Sequence, residues 1–175
     1  MLPVGWLIFA VLLAVLLTMW VTFTLTRLDR LHARVDAAQA ALDAQLVRRA
    51  AAVLHVAESP DSGVRDDEHL RIERLAQSAL AATSADENRQ TIENSVGRTL
   101  IELIDHSSVV LRADAEEELR EAAARVLIAR RFYNDAVRDT RALRARRMPR
   151  VLRLAGRREL PQFFDIDDTV PDAPR

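Results

Sequence analysis

Hydrophobic and polar positions divide this chain into three zones. Residues 2–25 are apolar almost without interruption, and the first charged side chain is Arg27. From there to residue 147 the apolar positions recur at alternating steps of three and four, the spacing of one face of an α-helix. Residues 148–175 carry neither pattern and hold most of the prolines.

At about 1.5 Å of rise per residue, the first zone makes a helix of roughly 30 Å or more, the thickness of a bilayer hydrocarbon core. A cleaved signal sequence needs a basic leader, a shorter apolar stretch and a small-x-small cleavage site. This run has no Lys or Arg ahead of it, is too long, and ends in Thr22-Phe23-Thr24-Leu25-Thr26. It therefore reads as a retained anchor, a transmembrane helix over residues 2–25. Trp6 and Phe9 near one end and Trp20 and Phe23 near the other suit the two interfaces. Arg27, Arg30 and Arg34 follow the run, so the positive-inside rule puts the N-terminus outside and the body in the cytoplasm.

Four helices are expected. The first continues from the span to Glu58, with a seam of Leu28, Leu31, Val35, Ala38, Leu42, Leu46, Val53 and Ala57. Asp36, Asp43, Arg48 and Arg49 fall mostly off that seam. Ser59-Pro60-Asp61-Ser62-Gly63 ends it. A second helix over 66–82 takes Leu70, Leu75 and Leu80 as anchors. Ser84, three residues before Glu87, reads as the cap of a third helix reaching His106, with Ile92, Val96, Leu100, Leu103 and Ile104 on one stripe. Gly97 within it suggests a close helix crossing. The fourth, over 113–147, has a seam of Leu119, Ala122, Val126, Ala129, Tyr133, Ala136, Thr140 and Leu143. Glu116, Glu117 and Glu118 at its start and Arg144, Arg146 and Arg147 at its end complement the helix macrodipole. Short connections favour an antiparallel up-down four-helix bundle over residues 27–147, so the fold class is all-α. Residues 148–175 form a basic juxtamembrane segment and an acidic, proline-containing tail.

Composition narrows the chemistry. The chain has no Cys, which excludes disulfides, thiolate metal sites and cysteine nucleophiles. Its net charge of −1 signals no polyanionic partner, so nucleic acid is not expected. The charge is unevenly placed. Between residues 138 and 158 there are nine Arg against the single acid Asp139. Interleaved with Met148, Val151, Leu152 and Leu154, the group Arg144, Arg146, Arg147, Arg150, Arg153, Arg157 and Arg158 suits a second contact with the membrane surface and its anionic lipids. A returning fourth helix would bring it to the leaflet that meets Arg27.

Two stretches resemble a known family. Asp43-Ala44-Gln45-Leu46-Val47-Arg48-Arg49 resembles the D-x-Q-L-x-R-R signature of LemA proteins, and Ala129-Arg130-Arg131-Phe132-Tyr133-Asn134-Asp135-Ala136-Val137 resembles their A-R-x-x-Y-N-x-A-V. Met148-Pro149 stands where that family has Phe-Pro, and Phe163-Phe164-Asp165 is similar to its aromatic-acid ending. The resemblance implies a single-pass protein of the bacterial cytoplasmic membrane with an antiparallel helical bundle, and supplies no substrate. Ala51-Ala52-Val53 departs from the family's Ile-Pro-Asn, His106-Ser107-Ser108 from its Tyr-Pro turn, and Asp139-Thr140 stands near a missing second Tyr-Asn.

His32, His55, His69 and His106 form no metal-ligand spacing, and Asp165, Asp167 and Asp168 read as a solvated acidic run. No catalytic constellation, cofactor motif or metal site is expected. Tyr133 on the seam is expected in the core with its hydroxyl hydrogen-bonded to a neighbouring helix. Arg48, Arg49 and Arg131 are expected to pair with acids such as Asp43 or Asp135 and lock helix register. Asp43, Gln45, Arg48, Arg49, Arg130, Tyr133 and Asn134 are thus structural first and a partner-binding patch second. The functional expectation is a non-enzymatic membrane scaffold or adaptor, with Phe163-Phe164-Asp165 as a docking peptide for a membrane or cytoplasmic protein. The alternative is a lipid-responsive structural protein that self-associates as a homo-oligomer.

Overall fold

The computed structural model describes residues 4–59, 66–83, 87–105, 111–146 and 159–167. Among them are four α-helices and no strand: α1 (Val4–Glu58), α2 (Asp66–Ala81), α3 (Arg89–Asp105) and α4 (Ala113–Ala145). The Pro60–Gly63 breaker, the Ser84 cap, His106 and the Met148-Pro149 stop lie outside the described residues. The length of α1, 55 residues, has a simple cause, because no Gly or Pro falls between Gly5 and Pro60.

Two compact units result, and they do not follow chain order. The first comprises Met1–Ala37 and Asp135–Gln162. Its apolar run exposes almost every side chain up to Trp20, and α1 is long and apolar enough to cross a membrane. All four threonines of the run turn their hydroxyls inward. Thr18, Thr22, Thr24 and Thr26 donate to the carbonyls of Ala14, Thr18, Trp20 and Thr22 at 2.8–2.9 Å. This bond satisfies a hydroxyl within its own helix, which an apolar environment requires. Burial on α1 begins at Thr24 and continues through Leu28, His32 and Val35. In the same unit α4 buries Ala136, Val137, Thr140 and Leu143, and Arg34 bonds Asp139 at 3.0 Å.

The second unit comprises Ala38–Asn134 and Phe163–Arg175. One hydrophobic cluster draws on all four helices: Ala50, Val53, Val56 and Ala57 from α1, Ile72, Ala76 and Ala79 from α2, Val96, Leu100 and Leu103 from α3, and Leu119 and Ala122 from α4. The α1, α3 and α4 seams are buried or half-buried as the spacing predicts.

Three expectations are corrected. On α2 the core face is Ile72-Ala76-Ala79, with the expected anchor Leu75 half-buried against the same cluster, while Leu70 is 55% and Leu80 37% exposed. Each residue turns a helix by about 100°, so steps of five carry Leu70 and Leu80 away from the side that holds Leu75, whereas steps of four and three keep Ile72, Ala76 and Ala79 together. Arg49 is buried on α1 and not off the seam. Gly97 marks no helix crossing. A Cβ there would meet the Arg49 Nη1 at 3.6 Å and the Asp167 carbonyl at 3.9 Å, so what approaches it is a guanidinium and the C-terminal segment.

Replacing Ile72 by Ala removes a side chain that is only 1% exposed. It is expected to cost about 2–5 kcal/mol, whereas Leu70→Ala is expected within roughly 0.5 kcal/mol of the parent. Chemical denaturation of the full chain in detergent micelles, followed by helical circular dichroism, checks both.

Candidate functional site

The second unit is built around charge. Arg49 on α1 donates through Nη2 to the Glu93 carboxylate on α3 at 2.8 Å, and to the Glu93 backbone carbonyl at 2.9 Å. Both side chains are almost fully buried, at 5% and 1% exposure. One turn away on α3, Arg89 reaches the Asp43 carboxylate on α1 at 3.0 Å, with Arg89 buried and Asp43 half-buried. The two rungs have opposite polarity: acid on α1 with Arg on α3, then Arg on α1 with acid on α3. A slip of one helical turn, about 5.4 Å, would break both. Arg49 pairs with Glu93 and not with the expected Asp43 or Asp135, and Arg48 and Arg131 are exposed.

Tyr133 on α4 is buried against this interior, and its phenol is pushed above the usual range by burial and by the nearby Asp43 carboxylate. Gln45 is half-buried. It lines a shallow groove with Ala38, Ala41, Arg125, Ala129 and the exposed Ile128 and Phe132.

Residues 159–167 form no helix, and their last part seats on the helices of this unit. Asn134 holds the backbone of Phe164 from both sides. Its Nδ2 donates to the Phe164 carbonyl and its Oδ1 accepts from the Phe164 N–H, each at 3.0 Å. The Asp167 N–H donates to Asn94 Oδ1 at 2.7 Å. Between those anchors Ile166 is buried to 5% exposure. Arg130 lies 3.6 Å from the Asp165 carboxylate, which is 92% exposed, so solvent weakens that pair. The aromatic-acid segment expected to dock on a partner is engaged on its own chain.

Of the residues singled out in the sequence, the structure brings Asp43, Arg49, Tyr133, Asn134 and Arg130 to the polar interior or the tail seat. It leaves Arg48 on the surface. Of the seven arginines expected at the membrane surface, Arg144 and Arg146 are described. Arg144 is half-buried and donates to the Glu159 carbonyl at 2.9 Å, and Arg146 is exposed. Arg147, Arg150, Arg153, Arg157 and Arg158 lie outside the described residues, as does Asp168. Among the described histidines His32 is buried, His69 half-buried and His55 exposed beside a small cleft with Arg112, Asp114 and Glu118. Arg112 grips Asp114 through Nε and Nη2, and that hydrogen bonding holds the Asp114 carboxyl below its ordinary range. Among the described residues no group of three or more His, Asp or Glu is placed to hold a metal ion.

Glu93, Arg89, Asn94 and Ile166 were not anticipated from sequence. The sequence held a signal for Glu93, and another for the burial of Arg49. Glu93 sits three residues before Val96 and seven before Leu100, on the apolar stripe itself. Arg49 fills the middle of the gap that the α1 seam leaves between Leu46 and Val53. Ile166, alone in an acidic tail, has no periodicity to betray it. No family model matches this chain, and no curated protein or solved structure matches it either.

Two expectations follow. Glu93→Gln leaves the Arg49 charge buried without its counter-ion and is expected to cost about 3–5 kcal/mol, whereas the double change Arg49→Met with Glu93→Leu should recover most of that loss; denaturant midpoints of the three chains check it. The chain has a single Tyr, so its ionisation can be followed at 295 nm. The folded phenol should ionise above the usual pKa of about 10 and return to it in denaturant. Because the folded value is the higher one, this stabilisation is complete below about pH 10 and is lost as pH rises through the folded value.

Proposed function

We propose that this chain is a membrane-anchored, non-enzymatic scaffold or adaptor of the bacterial cytoplasmic membrane, LemA-like, with its helical body in the cytoplasm. The observation that carries the reading is the exposed apolar run of α1, whose hydroxyls are all bonded within the helix. A surface of exposed Leu, Val, Ile, Phe and Trp over five turns is far beyond the scattered apolar residues of a water-soluble surface.

The body is read as an antiparallel up-down bundle. In the first unit Arg34 meets Asp139. In the second, residues 38–45 of α1 line one groove with 125–132 of α4, and His55 and Val56 share a cleft with Asp114, Ala115 and Glu118. Within the second unit these two pairings suit α1 and α4 of opposite direction. Arg71 of α2 meets Glu102 of α3 at 3.3 Å, and the rungs Asp43–Arg89 and Arg49–Glu93 suit α1 and α3 of the same direction. Reversing α3 would set Asp43 against Glu93 and Arg49 against Arg89, so like charges disfavour that alternative.

The LemA likeness gains support from where its motif residues fall. Asp43, Arg49 and Tyr133 belong to the polar interior, and Arg130, Asn134 and Phe163-Phe164-Asp165 to the tail seat. Arg27, Arg30 and Arg34 favour a cytoplasmic body, and anionic lipid headgroups are the proposed partner of the basic segment. Self-association as a lipid-responsive structural protein is the second reading, favoured by the groove that exposes Ile128 and Phe132.

With no native Cys, single cysteines at Pro3 and Ser62 report topology without background. Pro3→Cys should react with a membrane-impermeant thiol reagent in intact cells and Ser62→Cys only after lysis. Labelling of Ser62→Cys from outside reverses the orientation, and recovery of the protein in the soluble fraction removes the anchor. Crosslinking in membranes should recover a second protein; repeated recovery of this chain alone defeats the adaptor reading.

A further inference from the structure

The apolar run of α1 ends differently on its different sides. Leu16, Met19, Phe23, Arg27, Arg30 and Arg34 follow at steps of three and four, so they fall on one helix face. Leu16, Met19 and Phe23 are exposed, and so are the three arginines. An apolar strip thus passes directly into a cationic one. This face lies beside the one that buries Thr24, Leu28, His32 and Val35.

Depth along the helix separates the three arginines. With the hydrocarbon boundary at Leu25, the end of the apolar run, Arg27 stands about 3 Å beyond it and Arg30 about 7.5 Å. Headgroups occupy roughly the first 5–7 Å outside the hydrocarbon, so these two arginines bracket the layer of lipid phosphates. Arg34 stands about 13 Å out, past that layer. Ion pairing follows the same division. Arg34 meets Asp139 of α4 at 3.0 Å. Among the described residues neither Arg27 nor Arg30 has a carboxylate partner. Asp29, the acid at the same depth, is turned by about 160° from Arg27 and about 100° from Arg30. The hydroxyls of Thr22 and Thr26 are committed to the carbonyls of Thr18 and Thr22. The donors that this face offers at headgroup depth are therefore two guanidinium groups, whose forked N–H groups match phosphate oxygens.

We propose that Arg27 and Arg30 form a binding site for one anionic phospholipid, with its phosphate between the two guanidinium groups and an acyl chain along Phe23, Met19 and Leu16. The lengths agree. From Leu25 back to Leu16 is about 13 Å, and one leaflet's share of the hydrocarbon core is about 15 Å. A zwitterionic lipid carries its own ammonium beside the phosphate and is the weaker ligand. The site rests on the membrane-anchor reading and is separate from the basic segment that follows α4.

The chain's two tryptophans, Trp6 and Trp20, supply the test. The full chain is reconstituted in mixed vesicles of phosphatidylglycerol and phosphatidylcholine, one of which carries brominated acyl chains that quench indole fluorescence. With Trp6→Phe, the remaining Trp20 lies two turns before Arg27 on the same face. It should favour brominated phosphatidylglycerol by at least about fivefold, the contribution of one basic group at an anionic surface. Arg27→Gln with Arg30→Gln should abolish the preference. Arg34→Gln removes the same kind of charge and should keep it. With Trp20→Phe, the remaining Trp6 should show no preference. Equal quenching of Trp20 by the two lipids overturns the site, and so does an equal loss in Arg34→Gln, which would mark diffuse attraction. Loss of the preference in excess inorganic phosphate at matched ionic strength also overturns it, because the ligand would then be a soluble phosphate. Absence of quenching at both tryptophans defeats the anchor reading itself, whereas quenching without preference defeats the lipid site alone.

Discussion

The buried pair between Arg49 and Glu93 is the constraint on which the second unit depends. Two charges removed from water carry a desolvation cost of several kcal/mol each, recovered only with good geometry and further hydrogen bonds. Here the carboxylate is met at 2.8 Å and the guanidinium also reaches a helix carbonyl. The pair therefore tolerates little displacement. It holds α1 and α3 in one axial register, and the Asp43–Arg89 rung repeats the constraint one turn away with the charges exchanged. An Ala-rich hydrophobic cluster alone is less selective, because small side chains on a smooth face pack almost equally well after a slip.

That register also creates the surface beside it. The Arg49 guanidinium lies near α3 at Gly97, where a Cβ would be in ordinary van der Waals contact with it and with the Asp167 carbonyl. Glu93 and Asn94 are neighbours in sequence, so the residue that anchors the interior stands next to the one that holds the tail. On α4, Tyr133 faces inward, close enough to Asp43 for the carboxylate to raise its phenol, while Asn134 holds Phe164. The Tyr-Asn dipeptide thus serves two sides of one helix, one residue for packing and one for capture.

The first unit follows a different physics. Its α1 residues up to Trp20 make almost no use of the rest of the chain, and their hydroxyls are internally bonded. Nothing in a hydrophobic core competes for this stretch, so its apolar surface is left to the surroundings that the helix occupies. From Thr24 onward the same helix buries a stripe and becomes an ordinary packed element.

Helix content, the long first helix and three of the four seams were readable in the sequence, because Gly and Pro are scarce and a step of three or four is preserved in the chain itself. On α2 leucine is a poorer guide than spacing, since an exposed Leu70 looks the same in sequence as the half-buried Leu75. The tail seat was legible only as a motif: Asn134 and Phe163-Phe164-Asp165 stood out separately, thirty residues apart, with no sign that one binds the other. Local periodicity and composition determined that this chain makes four helices and an exposed apolar run, because those properties are set by each residue and its neighbours within a turn. The partners of Arg49, Arg89 and Asn134 were decided by tertiary structure alone, because an ion pair or an amide clip exists only when groups distant in sequence arrive within about 3 Å of each other.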